Sequence, residues 1–161
     1  MKFLEFDQNS KLDRILVELC HHIIKGQHID SDKYGMVAAC VLDPKNRKVY
    51  GVNEAAGDGT RRHAERVAVD RYVEHYGNIP KGSIIVTTLS PCNENKTKMA
   101  DDRYGESCTD LVNSIDCRKV YCGYIDPTQH NEHARYTLEE TSNGKIKDLC
   151  RRFADTFLNT K

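Results

Sequence analysis

The 161-residue chain predicts an α/β fold: a three-layer α/β/α sandwich on a mixed sheet, in which an antiparallel hairpin is followed by parallel strands. Three observations carry that expectation. Apolar residues recur at helical spacing in "KLDRILVELCHHIIK". The run "GSIIVTTLS" is too uniformly apolar and β-branched for a half-exposed strand, so it belongs in the middle of a sheet. In the second half of the chain, strand-like and helix-like stretches alternate, which calls for parallel pairing through right-handed crossovers.

From Lys11 to about Lys25, Leu12, Ile15, Leu16, Leu19, Ile23 and Ile24 form one apolar stripe, and Gly26 is the expected stop. "MVAACVLD" reads as a strand, "PKNR" as a turn and "KVYGVN" as the hairpin partner, which puts an antiparallel pair at one edge. The Gly-rich "EAAGDGTRR" reads as irregular. A second helix, "HAERVAVDRYVEHY", stops at Gly77. "CTDLVNSI" predicts a short helix and "RKVYCGYID" a further buried strand. "NEHARYTLEETS" and "KIKDLCRRFADTFL" predict closing helices, so the tail from Asn131 onward is expected to be helical, with at most a short strand near Ile146. Neither an internal repeat nor a domain boundary is visible, and residues 1–161 are expected to form a single domain.

Charge balances at 24 basic against 24 acidic residues, so no global field marks a binder of polyanions, although a local basic patch stays open. "MKFLEFDQNSKLDRILVELC" has no apolar run suited to a signal peptide, and nothing later is long enough to span a bilayer. A soluble, cytoplasmic protein without membrane partners is the expectation. Seven cysteines is a high and odd count for a reducing compartment, where a disulfide framework is not expected. Cys20, Cys40, Cys122 and Cys150 lie inside apolar patterns and read as small buried hydrophobes. Cys92 and Cys108 differ because each sits where an element ends or begins.

In a sheet of this kind, sites form at the C-terminal ends of strands and the N-termini of the helices that follow. His63 opens the second helix, Cys92 follows the central strand, and Cys108 opens the next helix. One imidazole and two thiolates suit Zn2+ with a fourth position left for water, and a helix N-terminus favours the thiolate. Glu65 lies two residues after His63, close enough to approach a metal-bound water without being a ligand. The plainer alternative makes His63 an ordinary helix-start residue, Glu65 a favourable charge in the first turn and both cysteines buried thiols. That account explains each residue singly but not their joint placement.

"HAE" at 63–65 and "PC" at 91–92 together match the H-x-E and P-C pieces of the zinc deaminase signature. The chain thus resembles the cytidine/deoxycytidylate deaminase superfamily over most of its length, since the predicted element order is also the family's. The third piece departs: three residues after Cys92 stands Asn95, and the next cysteine, Cys108, is sixteen residues on from Cys92. The polar stretch "NENKTKMADDRYGES" then reads as an insertion between two metal ligands. A widened spacing is familiar from the riboflavin-pathway pyrimidine deaminases, and "TTLSPC" and "VYCGYIDP" resemble their strand-to-ligand passage and their next strand with its Asp-Pro ending.

The resemblance implies a cytidine deaminase-like fold and a zinc-dependent hydrolase. Such an enzyme removes an exocyclic amine, as ammonia, from a pyrimidine-type base in a small nucleotide or nucleotide-like substrate. It implies that Glu65 shuttles the proton, that His63, Cys92 and Cys108 hold Zn2+, that Asn53 contacts the base or its sugar, and that the Ala64 N–H donates to a ring carbonyl. For Asn53, a polar residue ending a strand before a turn is the alternative. Arg61 and Arg62, just before His63, are candidates for a phosphate. In the insertion, Lys96, Lys98 and Arg103 could meet a phosphate, Asp101, Asp102 and Glu106 could hold those cations or a sugar, and Tyr104 could stack on a base. A solvated loop whose charges offset one another is the alternative. His130 and His133 could line the pocket from the far side, with surface positions as the default; His21 and His22 receive no role. The family also implies a homo-oligomer, with a dimer as default. Two other functions stay in view: a deaminase of bases within RNA or DNA, against which the neutral composition argues, and a non-catalytic zinc-binding module, against which Glu65 argues because a structural site needs no proton shuttle.

Overall fold

The computed structural model describes residues 2–29, 34–55, 61–91, 108–115, 117–127 and 134–159. Four helices and six strands occur among them: α1 (Lys2–Ile29), β1 (Tyr34–Leu42), β2 (Lys48–Ala55), β3 (Arg61–Arg62), α2 (Ala64–Tyr76), β4 (Ser83–Leu89), α3 (Cys108–Asn113), β5 (Cys117–Tyr124), β6 (Thr137–Glu140) and α4 (Gly144–Asn159). The strands form one mixed sheet in the order β3-β2-β1-β4-β5-β6. β1 pairs antiparallel with both β2 and β4, whereas β4 and β5, and β5 and β6, run parallel. The predicted α/β class and the central place of "SIIVTTL" are both observed, and every residue of β4 is buried.

Strand alternation sorts the core into two faces. Val37, Ala39, Val41 and Ile85 face α2, packing with Ala64, Ala68, Val69 and Tyr72. Ala38, Cys40, Leu42, Ile84 and Val86 face α1 and α4, packing with Leu12, Leu16, Leu19, Cys150 and Phe153. These faces make the three expected layers. The thiols of Cys20, Cys40, Cys122 and Cys150 are buried as read, and burial pushes the Cys40 thiol up to about 12, which leaves it chemically inert.

The β1–β2 hairpin is closed by Asp43. Its Oδ1 accepts the N–H groups of Lys45 and Arg47, each at 2.9 Å, and its Oδ2 accepts from Arg47 Nε at 2.6 Å and from the Tyr72 hydroxyl at 2.8 Å. Asn46 takes the left-handed conformation (φ 66°) that asparagine tolerates in such a turn. Tyr72 belongs to α2, so the same carboxylate ties the hairpin to the helix above it. Gly51 in β2 brings them closer still. A Cβ there would lie 2.5 Å from Ala68 N and 2.8 Å from Ala64 O, so α2 rests on the β2 backbone at a distance only glycine allows.

The structure corrects the sequence reading in four places. α1 is longer at both ends than predicted: it starts at Lys2 rather than Lys11, and it runs past Gly26 to Ile29, because one glycine costs a helix about 1 kcal/mol without forbidding it. Ile24 is not in the buried stripe but 39% exposed: at ~100° per residue it lies about 120° round the helix from Leu12. The segment read as irregular carries regular structure at both ends, since β2 continues to Ala55 and Arg61–Arg62 pair back on it as β3. The largest correction concerns the tail. Thr137–Glu140 is not helical but the sixth strand, parallel to β5 with Lys119 opposite Thr137 and Cys122 opposite Glu140. Its glutamates favour a helix in isolation, but pairing with an exposed sheet edge overrides that propensity. Lys119 Nζ reaches Glu139 at 2.9 Å, and Glu140 Oε2 accepts the Ile125 N–H at 2.7 Å. Ile146 lies in no strand but in the first turn of α4, where Asn143 Oδ1 caps the N–H groups of Lys145 and Ile146 at 3.0 and 3.1 Å.

Candidate active site

The site is assembled where the start of α2, the ends of β2 and β4 and the start of α3 meet. His63 occupies the cap position of α2 in extended conformation (φ −71°, ψ 156°), and its ring makes no capping bond to the helix. Its side chain is turned instead toward α3: His63 Nδ1 lies 3.0 Å from Cys108 Sγ. In the first turn of α2, the carboxyl of Glu65 is buried, and its donor atom, the imidazole nitrogen and the thiol sulfur all lie within 4.8 Å of one another. Residues forty-five positions apart thus converge on one point.

Beside this cluster lies a small cavity lined by Val37, Asn53, His63, Ala64, Glu65, Leu89 and Ser90. Its lining joins the apolar side chains of Val37 and Leu89 to the polar groups of Asn53, His63, Glu65 and Ser90. Asn53 is held by a break in strand pairing. The β1–β2 register shifts between Tyr34 and Ala38, and in that interval the Val37 N–H is taken by Asn53 Oδ1 at 3.0 Å. Its amide oxygen committed to the backbone, Asn53 offers its NH2 group as the remaining donor. Thr88 Oγ1 accepts the next N–H, that of Ala38, at 3.2 Å, so the bulge is pinned from both neighbouring strands.

Glu65 has a partner that sequence reasoning passed over. Thr87 is fully buried in β4, and its hydroxyl lies 3.1 Å from Glu65 Oε1 and 2.9 Å from the Leu89 carbonyl oxygen. Ser90, also missed, donates its N–H to the Tyr124 carbonyl at 3.0 Å and accepts the Asp126 N–H on Oγ at 2.9 Å, which ties the end of β4 to the end of β5. The one signal available for Thr87 was a polar pair within an otherwise apolar central strand.

His63, Glu65, Cys108, Asn53 and Ala64 are therefore brought together. The backbone of Arg61 and Arg62 forms β3 against Glu54 and Ala55, next to Asn53 in the chain, while their side chains lie outside the described set. Cys92, Tyr104 and the charged residues Lys96, Lys98, Asp101, Asp102, Arg103 and Glu106 also lie outside the described residues, as do His130 and His133. His22 lies against the Tyr50 ring at 4.9 Å between centroids, remote from the site on α1.

The donor set suits zinc. A borderline-soft ion takes imidazole and thiolate together, and two ligands on one tetrahedral Zn2+ stand roughly 3.5 Å apart. The His63–Cys108 separation of 3.0 Å is near that value.

The family model described as the cytidine and deoxycytidylate deaminase zinc-binding region matches residues 10–124. The chain belongs to the cytidine and deoxycytidylate deaminase family. Members and relatives of known structure share its fold. A diaminohydroxyphosphoribosylaminopyrimidine deaminase/5-amino-6-(5-phosphoribosylamino)uracil reductase from Thermotoga maritima superposes with a TM-score of 0.70 at 20% identity, over 96% of this chain and 43% of that one. The chain thus spans less than half the length of that bifunctional protein. The Rib2 deaminase of Aspergillus oryzae in complex with DARIPP superposes with a TM-score of 0.53 at 13% identity, covering 92% of this chain and 98% of that one. An A-to-I editing tRNA deaminase of the wobble position gives 0.53 at 14% identity, covering 87% and 99%. Among curated proteins none is similar enough in sequence to count as a match. No described helix is long and apolar enough to cross a membrane.

Proposed function

We propose that this deaminase-family chain is a zinc-dependent hydrolase. Its substrate is a small nucleotide or nucleotide-like molecule with a pyrimidine-type base, from which it removes an exocyclic amine as ammonia. The observation that carries this reading is the buried Glu65 carboxyl standing beside the His63–Cys108 pair at the wall of a cavity. A structural metal site has no use for a buried carboxyl that faces a cavity.

His63 and Cys108, with Cys92 as the third ligand, would hold the ion. When bound, zinc supplies a hydroxide nucleophile at neutral pH by acidifying a water molecule. Glu65 takes one proton of the attacking water and delivers it to the ring nitrogen, then takes the second from the hydroxyl now on the ring carbon and passes it to the departing amine as the carbonyl forms. Thr87 keeps the carboxyl in place while this happens. The Ala64 N–H heads the first turn of α2, where a helix has no internal acceptor for it, and donates to a ring carbonyl. Asn53 donates its NH2 to the base or sugar, and Val37 and Leu89 flank the ring. Arg61 and Arg62 receive a phosphate at the mouth.

Composition favours a small substrate over a polynucleotide. The neutral charge balance provides no excess to track a phosphate backbone. Residues 1–161 act as one domain in this reading, paired as a homodimer.

The test is ammonia release from a panel of free aminopyrimidine nucleosides and nucleotides and, in parallel, from RNA and DNA oligonucleotides, with zinc measured by elemental analysis. Turnover on the free compounds with one zinc per chain is expected. Activity confined to oligonucleotides and falling steeply with salt would move the assignment to nucleic-acid editing. Bound zinc without turnover on either panel would reduce the chain to a binding module.

A further inference from the structure

α3 is six residues long, Cys108–Asn113. A helix that short has no stability of its own in water, so the place of Cys108 beside His63 must be set by whatever α3 docks against. Its apolar side is buried in the core through Leu111 and Val112, in the cluster that also holds Tyr136, with Ala134 and Leu138 packed at its margin. Apolar packing alone leaves a short helix free to slide and rotate, and two polar bonds remove that freedom. At the first turn, Thr109 Oγ1 lies 3.2 Å from the Tyr136 hydroxyl, both residues being buried. At the far end, Asn113 Oδ1 accepts the Arg135 N–H at 2.8 Å. Neighbouring residues of one segment, just ahead of β6, thus grip both ends of the helix.

We infer that Tyr136 and Thr109 are positioning residues for Cys108: the segment leading into β6 clamps α3 and thereby sets the affinity of the site for its metal. Thr109 follows Cys108 directly, so rotation of the helix about its axis would swing the thiol away from His63. The hydroxyl–hydroxyl bond opposes that rotation, and the Asn113 bond opposes tilting. The inference rests on the reading of His63 and Cys108 as ligands. Groups that orient a ligand in this way typically change metal affinity by about 10- to 100-fold when removed.

The zinc dissociation constant of the full chain, measured by competition with a chromophoric chelator, tests it. Tyr136→Phe and Thr109→Val should each weaken zinc by about 10- to 100-fold, and Thr109→Ser, which keeps the hydroxyl, should stay within about threefold of the parent. The double variant should lose less than the two single losses combined, because both substitutions delete the same bond. Thr109→Val keeps the volume of the side chain and carries the test should Tyr136→Phe fold poorly. Affinity unchanged in both single variants, or losses that add in the double variant, would overturn the clamp, provided that Cys108→Ser has lost zinc. Should Cys108→Ser bind zinc like the parent, the ligand assignment falls, and the clamp with it.

Discussion

Thr87 Oγ1 stands 3.1 Å from Glu65 Oε1 and 2.9 Å from the Leu89 carbonyl oxygen, so one buried hydroxyl serves both the carboxyl and the backbone at the end of β4. Such a hydroxyl can donate to a carboxylate or, turned toward Leu89, accept from a carboxylic acid. Removing it with Thr87→Val leaves the shape of the strand intact. A lost hydrogen bond of about 1 kcal/mol in the reacting geometry corresponds to roughly a fivefold fall in kcat, with KM little changed. Thr87→Ser should recover most of the loss. Steady-state kinetics of the three proteins would decide it, and a KM effect without a kcat effect would mean that Thr87 serves binding instead.

Glu65→Gln keeps the size of the side chain and its ability to accept from Thr87, but it cannot take up a proton. Turnover should fall by about 10²- to 10⁴-fold, the usual contribution of general acid–base catalysis, while zinc content stays at the parental value. Near-normal turnover would remove Glu65 from the role assigned to it.

Gly51→Ala tests the contact between β2 and α2. The added Cβ would fall 2.5 Å from Ala68 N and 2.8 Å from Ala64 O, both backbone atoms that cannot turn aside. α2 would have to lift from the sheet, and overpacking of this kind costs about 1–3 kcal/mol, or about 2–12 °C in Tm for a chain of this size. Because the lifted end carries His63, Ala64 and Glu65, activity should fall alongside Tm in a calorimetric and kinetic comparison.

Asp43 should give the protein part of its acid sensitivity. Burial by itself would raise its carboxyl, but hydrogen bonds from the Arg47 side chain and N–H, the Tyr72 hydroxyl and the Lys45 N–H outweigh it and take the group from 3.8 down to about 2. A carboxyl held lower in the folded chain than in the unfolded one adds stability above the unfolded value and loses it as pH falls toward the folded one. The parent should therefore lose stability between about pH 4 and pH 2, and Asp43→Asn should be less stable at pH 7 but flatter across that interval. Denaturant midpoints at pH 7, 4 and 2 would show whether the two curves converge.

How much of this was legible depends on what kind of information each feature needs. β4 announced itself through a β-branched run, α1 through helical spacing, and the core cysteines through their apolar neighbours. His63 and Glu65 stood out because their separation is short and local, fixed by a cap position and the first turn behind it. Cys108 was readable only as a thiol at a helix start. The tail was misread because its four-residue strand turns only Leu138 onto the core, and its side chains are exposed or half-buried.

What the chain order and residue types determined, taken alone, was the α/β class, the middle place of β4 and the identity of the chemically able residues. What the tertiary structure decided was which of them meet: Nδ1 of His63 against Sγ of Cys108, Thr87 under Glu65, Asn53 filling a break in β1 pairing, and Tyr136 gripping the helix that bears Cys108. The physical reason is that periodicity and propensity are local, whereas these contacts join residues 16 to 45 positions apart. Such meetings depend on strand register and helix placement, which the apolar pattern of whole strands and the turns between them set together, not the few residues around any one site group.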